Sequence, residues 1–130
     1  MTGDPAIVST AEAPRPVGPY SQAVEAGDFL FLSGQIGLDL GSGQLVSGGA
    51  SEQARAALNK LAAVLRAAGG VMEDVVRVGV YLKDIGDFAK VNEVYGEFFS
   101  SWKPARTTIG GLDLPKGALV EIDAVARTRR

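Results

Sequence analysis

The chain contains neither cysteine nor histidine. Without cysteine there is no disulfide, no thiolate nucleophile and no zinc–sulfur centre. Without histidine the commonest general base and metal ligand is missing, and with it every hydrolase triad built on an imidazole. Any acid–base work falls to Asp, Glu, Lys, Tyr or a bound water. No apolar run reaches the length of a membrane span, and Met1-Thr2-Gly3-Asp4-Pro5 has neither the basic start nor the hydrophobic segment of a secretory signal. A cytoplasmic protein with no membrane partner is therefore expected. Surplus positive charge is also lacking. A net charge of −2 and a pI of about 5.1 argue against a nucleic-acid partner, because phosphate binding is largely cationic. The Arg127, Arg129, Arg130 cluster reads as a solvated tail.

At 130 residues the chain suits one domain, residues 1–130, with a core of its own. Its 46% hydrophobic and 22% charged residues lie close to the average of folded soluble proteins. Glycine is abundant, 17 residues, against a usual share of roughly 7%, and implies many tight turns. The first six residues should be loosely held. Three prolines in Ala13-Pro14-Arg15-Pro16-Val17-Gly18-Pro19 exclude a helix there. Tyr20 to Val24 and Phe29 to Leu32 read as a hairpin turning at Glu25-Ala26-Gly27-Asp28, and Ser33-Gly34-Gln35 ends its second strand. Gly34 there suits either a bulge or the close approach of a ligand to backbone amides. A short strand lies within 36–46, whose Gly41-Ser42-Gly43 turn lacks the context of a phosphate loop.

Ser51 reads as the cap of an amphipathic helix through Ala54, Ala57, Leu58, Leu61, Leu65 and Ala68, closed by Gly69-Gly70. In the strand Val75 to Leu82, alternation places Val76, Val78, Val80 and Leu82 in the core. A second helix, capped by Asp87, buries Phe88, Val91, Val94, Tyr95, Phe98 and Phe99. Asn92 beside that stripe is either an exposed helix residue or a donor at the edge of a site. Strands at Thr107 to Ile109 and Leu119 to Val125 complete an α+β domain with two helices on one face of a mixed sheet of about six strands. The other face, with Tyr81, Leu119 and Val125, calls for a partner surface, and a homo-oligomer answers it.

The chemistry concentrates in Pro104-Ala105-Arg106-Thr107-Thr108 and in Glu121, fifteen residues beyond the arginine. The Gly- and Pro-containing segment between them reads as a turn that brings the two strands side by side. An Arg beside a Glu suits a small carboxylate and a water. It equally suits an ion pair on a sheet.

Taken together, Gly18-Pro19-Tyr20-Ser21-Gln22-Ala23, Ser33-Gly34-Gln35-Ile36, Asp87-Phe88-Ala89-Lys90-Val91-Asn92-Glu93-Val94-Tyr95, Pro104-Ala105-Arg106 and Leu114-Pro115-Lys116-Gly117-Ala118-Leu119-Val120-Glu121-Ile122 resemble the RidA/YjgF reactive-intermediate deaminase family. The resemblance runs in order, nearly without gaps, from about Ile7 to Ala126. It implies a chorismate-mutase-like (YjgF-like) fold, a homotrimer with sites in clefts between subunits, and hydrolysis of 2-imino acids and their enamine tautomers to 2-oxo acids and ammonia. No metal or organic cofactor is implied. By this resemblance Arg106 binds the substrate carboxylate and Glu121 orients the water. Tyr20, Ser33 and Asn92 match the family's polar site residues and Thr108 its backbone amide, and Gly34 joins them as a candidate substrate-binding position. Gly37 stands where the family often has proline, Gly110-Gly111 where residues are commonly bulkier, and Thr108 where several members have cysteine. These departures are expected to widen the pocket or loosen its rim. Two other readings are a non-catalytic trimer that binds small carboxylates and, less well supported by the charge, an endoribonuclease. Glu121 separates the first of these from the deaminase, since simple carboxylate binding gains nothing from an added negative charge.

Overall fold

The computed structural model describes residues 4–129. Six strands form one sheet in the order β1-β2-β3-β6-β4-β5. They are β1 (Ala6–Val8), β2 (Ala23–Ala26), β3 (Phe29–Ile36), β4 (Val75–Leu82), β5 (Ala105–Ile109) and β6 (Val120–Arg127), with α1 (Gly49–Ala67) between β3 and β4 and α2 (Phe88–Phe98) between β4 and β5. All neighbours are antiparallel except β4 and β5. That parallel pair needs a crossover, and α2 supplies it. Among the described residues no helix is long and apolar enough to cross a membrane.

The core is made where the apolar stripes of α1 and α2 meet one sheet face. Ala54, Leu58, Leu61 and Leu65 of α1 and Val91, Val94 and Tyr95 of α2 are buried with Leu30, Leu32, Val78, Val80, Leu82, Val120 and Ile122. The helices thus cover one face, as the alternation predicted. On the uncovered face Val24 and Val125 flank Phe31, which is 48% exposed. Leu119, expected on that face, packs instead against the core.

Several local expectations shift for identifiable reasons. β1 was not anticipated; it adds to β2 as an edge strand. β2 begins at Ala23 rather than Tyr20 because Gln22 turns inward. Its buried amide accepts from Thr10 N–H (2.7 Å) and donates to the carbonyls of Thr10, Ala13 and Pro14 at 3.0, 3.2 and 2.9 Å. This pins the proline-rich strap against the sheet. The stretch expected to hold a strand within 36–46 forms only a single bridge, Leu38 with Leu45. Helix α1 starts at Gly49, entered through Gly48 at φ 107°, so Ser51 lies inside it. In β4 a bulge between Val75 and Arg77 inserts Val76 as an extra residue, which puts Val75 in the core and leaves Val76 half-buried. The Trp102 indole N–H donates to the Val75 carbonyl there at 2.6 Å.

The C-terminal arginines are not a free tail. Asp74, fully buried, accepts from Arg127 Nε at 3.1 Å, from Arg129 Nε at 2.6 Å and from Val71 N–H at 2.9 Å. Arg130 lies outside the described residues.

Candidate functional site

The strands that carry Arg106 and Glu121 are not side by side. β4 lies between β5 and β6, and the segment after β5 crosses the end of β4 rather than forming a hairpin. Leu112 N–H donates to Leu82 O (3.2 Å) and Lys83 N–H to Leu119 O (3.1 Å) along that crossing. The two side chains also leave opposite faces of the sheet. Arg106 is in register with core residue Val78, on the helix-covered face. Glu121 alternates with buried Val120 and Ile122 and is in register with Tyr81 and Ile36, on the uncovered face. An ion pair between them within one chain is therefore excluded.

Around Arg106 the site is aromatic. Its guanidinium carbon lies 4.7 Å from the Tyr95 ring centroid and 5.5 Å from that of Phe88. Such contacts contribute about 0.5–2 kcal/mol each, depending on exposure. Phe88, Asn92 and Tyr95 recur at helical spacing, so Asn92 occupies the same stripe of α2 between the two rings. Thr108 shares the Arg106 face of β5, in register with Val80. β5 is the edge of the sheet, and its outward backbone groups have no strand partner among the described residues.

Around Glu121 the site is a chamber of about 140 Å³ lined by Tyr20, Gly34, Ile36, Arg15, Lys116 and Glu121 among others. Gly34 lies against Glu121. A bulge between Leu32 and Gln35 carries Ser33 and Gly34, and any Cβ on Gly34 would collide with the Glu121 carboxylate. Burial, reinforced by the neighbouring Asp123, raises the Glu121 pKa above the ordinary glutamate value. Asp123 is itself held by Gly79 N–H (3.1 Å) and the Tyr81 hydroxyl (3.0 Å). The Ser33 hydroxyl donates to Ser21 O at 2.6 Å, so it first of all ties the bulge to the strap.

The expected residues thus form two groups. Tyr20, Ser33, Gly34 and Glu121 lie on or beside the uncovered face; Arg106, Asn92 and Thr108 lie at the α2–β5 edge. Neither Arg106 nor Glu121 has an ion-pair partner among the described residues. The departures at Gly37 and Gly110 do not open a void. A Cβ on Gly37 would meet Gln53 O at 2.7 Å, and one on Gly110 would meet Ile85 Cβ at 2.6 Å, so both positions allow backbone to pack closely. Gly111 has φ 76°. Sequence reasoning passed over Phe88 and Tyr95 as a guanidinium cradle, although their spacing about Asn92 held the signal, and it passed over Asp123.

The family model described as Endoribonuclease L-PSP matches residues 10–128. The human 2-iminobutanoate/2-iminopropanoate deaminase is 50% identical over 120 residues, covering 92% of this chain and 88% of that protein. A RutC family protein of Pyrococcus horikoshii is also 50% identical over 120 residues, covering 92% and 95%. Among solved structures, E. coli TdcF with bound serine superposes with a TM-score of 0.90 at 35% identity, covering 95% of this chain and 99% of that one. The chain belongs to the RidA/YjgF family.

Proposed function

We propose that this protein is a hydrolytic deaminase of reactive 2-imino acids, acting without a cofactor, and that its site is completed between copies in a homotrimer. The observation that carries the reading is the separation just described. The chain holds a guanidinium and a half-buried carboxylate, neither ion-paired among the described residues, on opposite faces of one sheet, so one copy supplies only half of an Arg–Glu site. The uncovered face, with Phe31 and Val125, offers the apolar surface through which a second copy would bring its α2–β5 edge to the Glu121 chamber. The relatives named as imine deaminases support the chemistry.

In this site the Arg106 fork binds the substrate carboxylate bidentately while the Phe88 and Tyr95 rings hold it in place. Glu121 takes a proton from a water as its oxygen bonds to C2 of the protonated imine. The carbinolamine then collapses. Glu121 returns its proton to the nitrogen, the hydroxyl loses its own proton to solvent as the C–N bond breaks, and ammonia leaves with a 2-oxo acid remaining. The raised pKa of Glu121 brings the group nearer to neutrality, as a general base requires. The experiment is to generate 2-iminobutanoate in situ from an amino acid and to follow ammonia release. Acceleration proportional to protein concentration is expected; an unaccelerated rate, with 2-oxobutanoate still bound, would leave the chain a carboxylate-binding protein.

A further inference from the structure

Two cations, Arg15 and Lys116, line the chamber with Glu121. The chamber adjoins a cleft of about 590 Å³, and Pro14, Arg15, Val17, Gln22, Leu38 and Lys116 line both. Arg15 and Lys116 therefore stand on the wall that the two spaces share. Neither forms an ion pair or a side-chain hydrogen bond among the described residues. Asp39, the acid that lines the cleft, has its carboxylate turned into its own loop, where Ser42 N–H donates to it at 2.8 Å.

Both cations are placed by built features. Arg15 follows Pro14, whose carbonyl accepts from the buried Gln22 amide at 2.9 Å. Lys116 has φ 58° and is the single non-glycine residue with positive φ among the described residues. That left-handed conformation is unfavourable for a lysine, and such strain collects where surroundings fix a functional group. We propose that Arg15 and Lys116 form a second anion subsite that selects 2-imino acids whose side chain ends in a carboxylate. This deepens the deaminase reading and rests on it. With Arg106 of another copy on the first carboxylate, a neutral side chain leaves both cations without an anionic contact. An acidic one reaching toward the cleft meets them.

The test is calorimetric titration of the parent, Arg15→Ala, Lys116→Gly and the double variant with 2-oxobutanoate and 2-oxoglutarate. Glycine adopts φ 58° without penalty, so Lys116→Gly keeps the turn. The parent should bind 2-oxoglutarate about tenfold or more tightly than 2-oxobutanoate, as charge-assisted contacts to a second carboxylate imply. The ratio should fall toward one in the double variant. A parent that prefers 2-oxobutanoate overturns the subsite and leaves the deaminase reading standing. So does equal weakening of both ligands in the variants, which would mean that these cations hold the carboxylate common to both. If the parent binds neither, the subsite and the deaminase reading both fall.

Discussion

The guanidinium of Arg106 lies 4.7 Å from the centre of the Tyr95 ring, whose hydroxyl is buried without a hydrogen-bond partner among the described residues. The ring matters to the arginine and the hydroxyl does not. Tyr95→Leu should therefore weaken 2-oxobutanoate binding by roughly 5–30-fold, from about 1–2 kcal/mol of lost cation–π contact. Tyr95→Phe should bind within about twofold of the parent and cost less than about 1 kcal/mol in stability, as no hydrogen bond is broken. Titration and denaturant unfolding of both variants check this; leucine binding as well as tyrosine would remove the cradle from the account.

Glu121 gives the reaction a pH signature. Its pKa is raised by burial and by Asp123, so the acid limb of kcat/KM should lie above the ordinary glutamate value of 4.5. Neutralising the neighbour lowers that pKa, and Asp123→Asn should move the limb downward. Comparing variant with parent cancels any ionisation of the substrate. A limb that stays put would mean that Glu121 is not the titrating base.

Asp74 makes a prediction about stability. Burial alone would raise its pKa, but hydrogen bonds from Arg129, Val71 and Arg127 outweigh this and leave it below the usual value of 3.8. A depressed carboxylate stabilises the fold above its unfolded pKa, and that contribution is lost as pH falls through the folded one. Asp74→Asn should lose about 1–3 kcal/mol near neutrality, less than a fully buried pair because both arginines are half exposed. Denaturant midpoints should show the gap between parent and variant narrowing as pH drops below 3.8. A gap that is independent of pH would locate the cost in packing.

Much of the fold was legible because it is local. Periodicity placed α1, α2, β4 and β6, and alternation placed Glu121 on the face that the helices leave open. Strand order is not local. The segment from Gly110 to Ala118 has the composition of a hairpin turn, yet nothing in it says that β4 already occupies the place beside β5. Bulges are equally silent: Val76 reads as a core residue until the insertion at Val75–Arg77 shifts the phase. Arg127 and Arg129 find Asp74 more than fifty residues away, a pairing that composition cannot disclose. The resemblance named Arg106, Tyr20 and Glu121, whereas their distribution over two faces required coordinates.

The central claim is that one copy supplies Arg106 and another Glu121. Arg106→Ala should lower kcat/KM by about a hundredfold or more, and Glu121→Gln should lower kcat by about 10² to 10⁴. The two inactive variants should then be mixed in equal amounts, unfolded together and refolded. If the halves come from different copies of a ring, random assembly gives about one site in four with both side chains intact, so about a quarter of the parent activity should return. Activity no higher than that of the separate variants would contradict a site shared between copies.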